Sequence, residues 1–310
     1  MRFLSPLPAF TSHPHRTDEL LTAGIPKWRI YATDFDHPTR GVATRRPQDP
    51  TFRRLVEAVS LVLKPGQFFS RRTAMRLHGA PVRDDPSDHT VDVGTITPGR
   101  APRRPQVAGH RLRPGALLDL PVAPFWLPSP EESWCLLAAV ASRAELLAAG
   151  DFLVSGPSRW DRPLSTIAAL TEASARFRHC AGAVLRREVL PLVRCGVESP
   201  AETALRLIII DAGFAEPLIQ CPVRVRGRVL HADLGYPRLR IAFEYEGAHH
   251  FGSNAVEQAR RDIARVRAME AARWKVLRVM AHDLSDPRAF LFELSQALVA
   301  AEATDPRLAE

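Results

Sequence analysis

The segment from Val229 to Phe251, VLHADLGYPRLRIAFEYEGAHHF, constrains the fold more than any other part of the chain. Apolar and polar residues alternate from Leu239 to Glu246, which is the side-chain period of a half-buried strand. A second strand precedes this one, and the Gly-Tyr-Pro-Arg sequence between them indicates a tight turn. The segment therefore predicts a β-hairpin that has one apolar face and one polar face.

Carboxylates mark the polar face of this hairpin. Asp233, Glu244 and Glu246 are expected to share it, and His249 and His250 follow directly. Carboxylate oxygens are the ligands that hard divalent cations prefer, and a bound cation can activate a water for hydrolysis. The alternative is a surface strand whose acids are simply solvated, which is the commoner explanation of an acidic strand taken alone.

The register of the hairpin decides whether its acids can meet. A turn centred between Tyr236 and Pro237 places Asp233 opposite Arg240. Glu244 then lies four residues farther along the sheet, roughly 13 Å away at the rise of a strand. Strand twist, a bulge or an offset turn is needed to bring Asp233 and Glu244 together.

Predicted helices and strands surround the hairpin in a definite order. Ser199, Pro200 and Glu202 suit the N-cap, N1 and N3 positions of a helix that ends near Gly213, so a capping box already accounts for Glu202. The other predicted elements are a strand over 218–225, a helix over 256–273, a strand over 275–280 and a helix over 287–301. The order is helix, three strands, helix, strand, helix.

Short motifs accompany this order of elements. They are Ser199-Pro200-Ala201-Glu202, Asp233-Leu234, Glu244-Tyr245-Glu246-Gly247 with His250, Asp262 with Arg265, and Arg273-Trp274-Lys275-Val276-Leu277-Arg278. Together, the motifs and the element order resemble the PD-(D/E)xK nuclease superfamily, and in particular its branch related to very-short-patch-repair endonucleases. The resemblance covers residues 196–310 and implies a restriction-endonuclease-like mixed sheet flanked by helices.

The resemblance also implies roles for individual residues. Asp233 and Glu244 would hold Mg²⁺ or Mn²⁺, and Glu202 would be an acid contributed by the first helix. His250 would act as a general base or position a water. Glu246 stands where the superfamily usually has a lysine, which would stabilise the nucleophile and the developing charge on phosphorus.

The charge balance is compatible with a nucleic-acid partner. The chain of 310 residues carries 42 Lys and Arg against 34 Asp and Glu, a formal net charge of +8. Arginine predominates among the cations and suits bidentate contacts with phosphate. We expect nucleic acid, with DNA favoured, as the partner, and Arg261 and Arg265 as contacts at the rim of the acidic site.

Other features narrow the cellular setting. Four cysteines without C-x-x-C spacing predict reduced thiols, and they form neither a zinc motif nor a disulfide framework. The N-terminal residues lack the apolar core of a signal peptide, and no apolar run is long enough to span a bilayer. We therefore expect a cytoplasmic protein without a membrane partner.

The N-terminal region has the pattern of a small DNA-binding fold. Short helices are predicted over 17–23 and 26–33, and residues 36–45 resemble a wing. Lys27, Arg29 and Arg40 are the candidate nucleic-acid contacts here. This region and the later phrase FFSRRTAMRLHGAPV resemble the winged-helix front of abortive-infection antitoxin-like proteins. The alternative is an ordinary pair of short helices.

A basic loop lies in the middle region. Residues 97–105, TPGRAPRRP, separate predicted strands over 91–96 and 106–112. The loop could contact phosphate or could be a solvated connector, and the pattern favours the connector. Helices are predicted over 52–63, 70–77, 129–149, 164–175 and 181–193.

These interpretations combine into an α/β (α+β) chain with a mostly helical N-terminal part. Its four regions are a winged-helix-like region at 1–50, an antitoxin-like region at 51–125, a helical connector at 126–195 and a nuclease-like domain at 196–310. The leading hypothesis is a metal-dependent nuclease that acts in DNA repair or phage defence. The alternatives are a catalytically inactive, antitoxin-like DNA-binding regulator, which the missing lysine favours, and a protein-interaction scaffold.

Overall fold

The computed structural model describes residues 12–46, 51–83, 90–113, 115, 117–118, 126–157, 161–247 and 255–304. In the last range, the side chains of residues 255–259, 261, 262 and 304 are not described. The chain folds into an N-terminal unit, Met1–Ala149 with Ser165–Leu192, and a C-terminal unit, Gly150–Leu164 with Val193–Glu310. Residues 126–195, the predicted connector, are divided between the two units.

The N-terminal unit begins with two short helices and a small antiparallel sheet. Leu20, Ile25, Ile30, Phe35 and Ala43 form the apolar core between them. The second helix is shorter than predicted, because the chain turns towards the next strand directly after it. The elements are β1 His15–Arg16, α1 Thr17–Thr22, α2 Lys27–Ile30, β2 Phe35–Asp36 and β3 Val42–Arg45, with sheet order β1-β3-β2. The predicted wing is the β2–β3 hairpin.

A second sheet in this unit has three strands in the order β4-β5-β6, with β4 antiparallel and β6 parallel to β5. Its strands are β4 Gln67–Phe69, β5 Val91–Ile96 and β6 Val107–Leu112. The helices that follow α2, as far as residue 192, are α3 Phe52–Ser60, α4 Arg71–Leu77, α5 Pro130–Leu137, α6 Arg143–Ser155, α7 Ile167–Arg176 and α8 Ala183–Val189, and a 3₁₀ turn Leu190–Leu192 follows α8. The last part of α6, from Gly150, belongs to the C-terminal unit. The helical segment predicted over 129–149 therefore consists of two helices.

The C-terminal unit confirms the predicted order of helix, three strands, helix and strand. Its elements are α9 Pro200–Asp211, β7 Leu218–Val225, β8 Arg228–Tyr236, β9 Ile241–Glu246, α10 Ala255–Ala271, β10 Lys275–Met280, α11 Ala281–Ser285 and α12 Arg288–Thr304. The sheet order is β10-β9-β8-β7, with β10 parallel to β9 and the other pairs antiparallel. The fold class is therefore mixed α/β, and the short α11 is an element that the sequence did not predict.

Apolar clusters cover both faces of this sheet. Helices α9 and α12 pack on one face, where Ile241 and Phe243 of β9 are buried. Helix α10 packs on the other face, where Met269 contacts a cluster that contains Ala242. Strand β9 is therefore buried on both faces. Its alternating pattern predicted burial on one face only. Across the described ranges, no helix is long and apolar enough to cross a membrane.

Candidate functional site

The β8–β9 hairpin has a different register from the one that its sequence predicts. Leu234 pairs with Phe243, and Tyr236 pairs with Ile241. The turn occupies residues 237–240, two residues later than predicted. Continued by one residue, this register puts Asp233 opposite Glu244. The offset turn therefore removes the predicted separation of roughly 13 Å, and the two acids share one rung of the sheet.

At Asp233, the side chains of strand β8 change from one face of the sheet to the other. Ala232 packs in the cluster beneath α10, whereas Leu234 packs in the cluster beneath α9 and α12. The neighbouring strand changes faces at the same rung, between Ile219 and Cys221, and Gln220 between them has a φ of +50°. This φ lies in the left-handed region, which non-glycine residues adopt rarely. A local distortion of the sheet thus fixes the position of Asp233.

The side chain of Asp233 is bound to the backbone of the adjacent strand. Its Oδ2 accepts a hydrogen bond of 2.8 Å from the backbone N–H of Tyr245. This contact confirms that Asp233 reaches strand β9 beside Glu244. It also gives Asp233 a structural function, because it satisfies a backbone donor at the end of the paired region.

Glu202 lies at the start of α9 and is only 5% exposed. Its carboxylate accepts hydrogen bonds from Ser199 Oγ at 2.9 Å and from the backbone N–H of Glu198 at 3.1 Å, while Ser199 Oγ caps the helix by accepting the Glu202 N–H. Burial raises the pKa of the Glu202 carboxyl to about 7, and the negative charge of Asp233 adds to this rise. The Glu202 carboxylate thus binds the cap hydroxyl of Ser199 and the N–H of Glu198, in place of the Ser199 N–H that the predicted capping box uses. It is also a neighbour of Asp233.

The two glutamates of β9 are each paired with an arginine. Glu244 is 3% exposed and forms an ion pair with Arg265 of α10. Arg265 also donates a 3.2 Å hydrogen bond to the carbonyl of His231. Glu246, at the position of the usual lysine, forms an ion pair with Arg278 of β10. Arg265, predicted to contact nucleic acid, therefore balances the charge of a candidate metal ligand.

The donor set suits a hard divalent cation, although it is not arranged as a finished site. Asp233 and Glu244 offer carboxylate oxygens. Burial raises the pKa of Glu202, and the charge of Asp233, which a nearby cation would offset, adds to the rise. In the part of the chain that the structure describes, no three His, Cys, Asp or Glu side chains form a metal-binding group. His249 and the predicted base His250 lie outside the described residues.

The sequence did not single out Arg278 as a partner of Glu246. The available signal was the alternation in Lys275–Met280, which puts Arg278 on the face of β10 opposite to Leu277 and Val279. Because β10 runs parallel to β9 with Arg278 beside Glu244, that face meets the acidic face of β9. A prediction of the parallel register would therefore have identified the pair.

The predicted nucleic-acid contacts of the N-terminal unit have different environments. Lys27 and Arg40 are exposed. Arg29 is 4% exposed, and its guanidinium donates to both carboxylate oxygens of Asp34, at 2.5 and 2.7 Å. A buried, bidentate ion pair leaves Arg29 unsuited to contact phosphate, so that prediction is wrong. Arg261 lies on α10, but its side chain is outside the described part of the structure.

Comparison with known proteins identifies relatives but no family. No family model matches the chain. It is 29% identical over 116 residues to the uncharacterized proteins MT2308 and Rv2248 of Mycobacterium tuberculosis, from strains CDC 1551 / Oshkosh and ATCC 25618 / H37Rv. The matched region is 37% of this chain and 42% of each relative, so the chain spans less than half of the proteins that it matches.

Proposed function

We propose that the C-terminal unit is a metal-dependent nuclease domain that hydrolyses phosphodiester bonds, with DNA as its substrate and the cytoplasm as its location. One observation carries the proposal. The β8–β9 register, continued by one residue, brings Asp233 opposite Glu244, and Asp233 also binds the backbone N–H of Tyr245 beside it. Burial raises the pKa of Glu202, and the negative charge of Asp233 adds to this rise. Buried acids with perturbed pKa values are typical of catalytic sites.

Each acid has a separate function in this proposal. Asp233 and Glu244 hold Mg²⁺ or Mn²⁺, because carboxylate oxygens are the preferred ligands of such ions. When bound, the cation supplies an acidified water and charge stabilisation at the scissile phosphate. The pKa of Glu202 is about 7 in the metal-free protein, and a cation held by Asp233 favours the ionised carboxylate, the form in which Glu202 acts as a general base. Arg278 brings positive charge to the position of the usual lysine by pairing with Glu246.

A second function is favoured by the arginines at the site. Arg265 and Arg278 already balance the charges of Glu244 and Glu246. In an active nuclease, a metal ion balances the charges of such acids. In this alternative the C-terminal unit is a non-catalytic module of a DNA-binding regulator. The two functions differ in one measurable respect, since only the nuclease needs a divalent cation.

The deciding experiment measures cleavage and metal binding by the purified full chain. Labelled single- and double-stranded DNA and RNA are incubated with the protein and Mg²⁺ or Mn²⁺, and Mn²⁺ binding is measured by calorimetry. We expect cleavage that EDTA stops, and we expect Asp233→Ala and Glu244→Gln each to abolish it. The matched control is Glu270→Gln, which removes an exposed carboxylate of α10 and should leave the rate unchanged.

Each outcome assigns the function. Cleavage that survives in Asp233→Ala would place the catalytic centre elsewhere or indicate a contaminant. Absence of both Mn²⁺ binding and cleavage, with DNA binding retained, would reject the nuclease and support the regulator. Thermal unfolding of each variant separates loss of chemistry from loss of fold.

A further inference from the structure

A strongly basic cavity lies in the N-terminal unit, and the nuclease proposal makes no use of it. Its volume is about 640 Å³. Five cationic side chains line it, Arg40, Lys64, Arg100, Arg103 and Arg104, beside Gln67, Thr95 and short or proline residues. No acidic residue and no aromatic residue lines it within the described residues. We call this feature the basic cavity.

The cationic side chains of the basic cavity are not neutralised by any carboxylate that the structure describes. Among the residues that the structure describes, none of the five forms an ion pair with an Asp or Glu side chain. Four of them, Arg40, Lys64, Arg100 and Arg103, are exposed. Five like charges around one concavity repel one another, and a bound anion relieves that repulsion. The cavity therefore favours a polyanionic ligand.

The loop that supplies three of these arginines is held in a defined conformation. At one end, Thr97 bonds to the carbonyl of Leu112 through both its backbone N–H and its Oγ1, each at 2.9 Å. At the other end, Arg104 forms a bridge with Val107, and its Nη1 donates a 2.6 Å hydrogen bond to the carbonyl of Arg40. The loop is consequently attached to the wing, and it is not the solvated connector that its sequence favours.

The attachment makes the basic cavity a continuation of the wing. Arg40 lies in the β2–β3 turn and lines the cavity, while Arg45 and Arg46 at the end of the same hairpin are exposed. Winged helix-turn-helix regions place recognition elements against the DNA duplex and hold its backbone with flanking cations. A duplex that contacts the wing can thus extend its phosphates over the residues that line the cavity.

The composition of the cavity identifies the ligand class. A free nucleotide or a single strand is usually held by an aromatic side chain that stacks on its base, and the described residues that line this cavity include no aromatic side chain. Arginine and lysine heads without base-reading side chains are the usual contacts of phosphate groups in a duplex. We propose that the basic cavity binds the phosphodiester backbone of duplex DNA, independently of sequence. The proposal shares its DNA partner with the proposed function but does not require cleavage.

The test compares two double variants that change the net charge equally. Arg100→Ala with Arg103→Ala removes two exposed arginines of the cavity, whereas Arg53→Ala with Arg187→Ala removes two exposed arginines of α3 and α8. Binding of a labelled 20-base-pair duplex to the full chain is measured in EDTA over a range of salt concentrations. We expect the cavity variant to bind about tenfold more weakly at low salt. The slope of log affinity against log salt should fall by about 2.

The remaining arms of the experiment identify the ligand. Inorganic phosphate and ATP are used as competitors, and a single-stranded oligonucleotide replaces the duplex in parallel. Equal losses in the two double variants would overturn the proposal, because they would reflect net charge alone. Loss of ATP binding in the cavity variant with unchanged duplex binding would overturn it as well. Since the assay contains no divalent cation, failure of the nuclease proposal leaves this result unaffected, and the reverse also holds.

Discussion

Two buried carboxylates in the C-terminal unit have opposite surroundings. Asp151 accepts hydrogen bonds from the backbone N–H of Arg194, from Thr203 Oγ1 and from Arg206 Nη2, at 2.8 to 2.9 Å. Glu202 has the negatively charged Asp233 and Glu198 among its neighbours. Burial raises the pKa of both carboxyls, but Arg206 opposes the rise at Asp151, whereas neighbouring acids add to it at Glu202. Burial alone therefore does not distinguish a structural acid from a candidate catalytic acid, and the sign of the surrounding charge does.

The largest expected effect is at the Asp151 network. Arg206 is fully buried and also pairs with Glu216 at 2.7 Å. Arg206→Met would leave the Asp151 charge buried without its cation, and it should lower the free energy of unfolding by about 3–5 kcal/mol. Urea unfolding measures this loss. Arg267→Met, which changes an exposed arginine of α10, should lower it by less than about 0.5 kcal/mol. Equal losses in Arg206→Met and Arg267→Met would show that the buried Asp151–Arg206 pair contributes no more to stability than an exposed arginine does.

Glu202→Gln should change stability in a pH-dependent way. Because the folded-state pKa of about 7 is above the ordinary value of 4.5, the folded protein binds more protons than the unfolded chain between these values. The stability that Glu202 contributes is present below pH 4.5 and is lost as the pH rises through 7. Gln does not ionise, so the variant should be more stable than the wild type at pH 8 by on the order of 1–3 kcal/mol, and of similar stability at pH 4.

Thermal unfolding at a series of pH values measures the effect of Glu202→Gln. Glu270→Gln is the control, because its carboxylate is exposed on α10. Parallel curves for wild type and Glu202→Gln would show that neither burial nor the neighbouring acids destabilise ionised Glu202. If the metal proposal holds, Mg²⁺ should raise the wild-type curve above pH 7, since a cation offsets the repulsion.

Arg265→Gln examines an intermediate case, in which a buried acid is paired with a cation whose side chain is 36% exposed. Glu244 loses its ion pair but keeps some access to solvent through the removed side chain, so the loss of stability should be only about 1 kcal/mol. The metal proposal adds a second expectation. Mn²⁺ should raise the melting temperature of Arg265→Gln more than that of the wild type, because Glu244 no longer binds a competing guanidinium. An equal shift in both proteins would contradict Glu244 as a ligand.

Glu246→Gln should have the smallest effect. Arg278, its partner, is more than half exposed, and ion pairs of this kind contribute roughly 0.2–1 kcal/mol. The expected loss of unfolding free energy is therefore below about 1 kcal/mol. It should diminish in high salt, which can be measured by urea unfolding with and without 1 M NaCl. A loss as large as that of Arg206→Met would place Glu246 among the structural acids.

The sequence predicted much of the C-terminal fold and part of its site. The strands Leu218–Val225 and Lys275–Met280 were predicted with their observed bounds, because each has apolar residues in a strand pattern between clear breaks. The register was wrong because the Gly-Tyr-Pro-Arg sequence indicated a turn, whereas Gly235 and Tyr236 still pair within the sheet. Turn residues limit where a hairpin can reverse, but the pairing of the flanking strands decides it.

Contacts between distant residues were the main omission. Asp151 and Arg206 are 55 residues apart, and no local pattern connects them. The burial of Arg29 likewise depends on Asp34 and on the small core around Ile30. In the sequence, neither Arg29 nor Arg206 can be told apart from an exposed cation. Charge and spacing predict which residues could contact a ligand. The tertiary partner determines whether the side chain is available to do so.

The exchange of faces at Asp233 has a consequence for how the chain tolerates deletions. Ile219 and Leu234 belong to one apolar layer, and Cys221 and Ala232 belong to the other. Without Gln220 and Asp233, side chains on both strands would alternate between the layers without interruption. Deleting only Gln220 or only Asp233 would shift the pairing of β7 with β8 by one residue. Deleting both would remove one opposed pair of residues and leave the remaining pairs aligned. The double deletion is therefore the change that removes the carboxylate and the backbone irregularity together, while every remaining apolar residue keeps its layer.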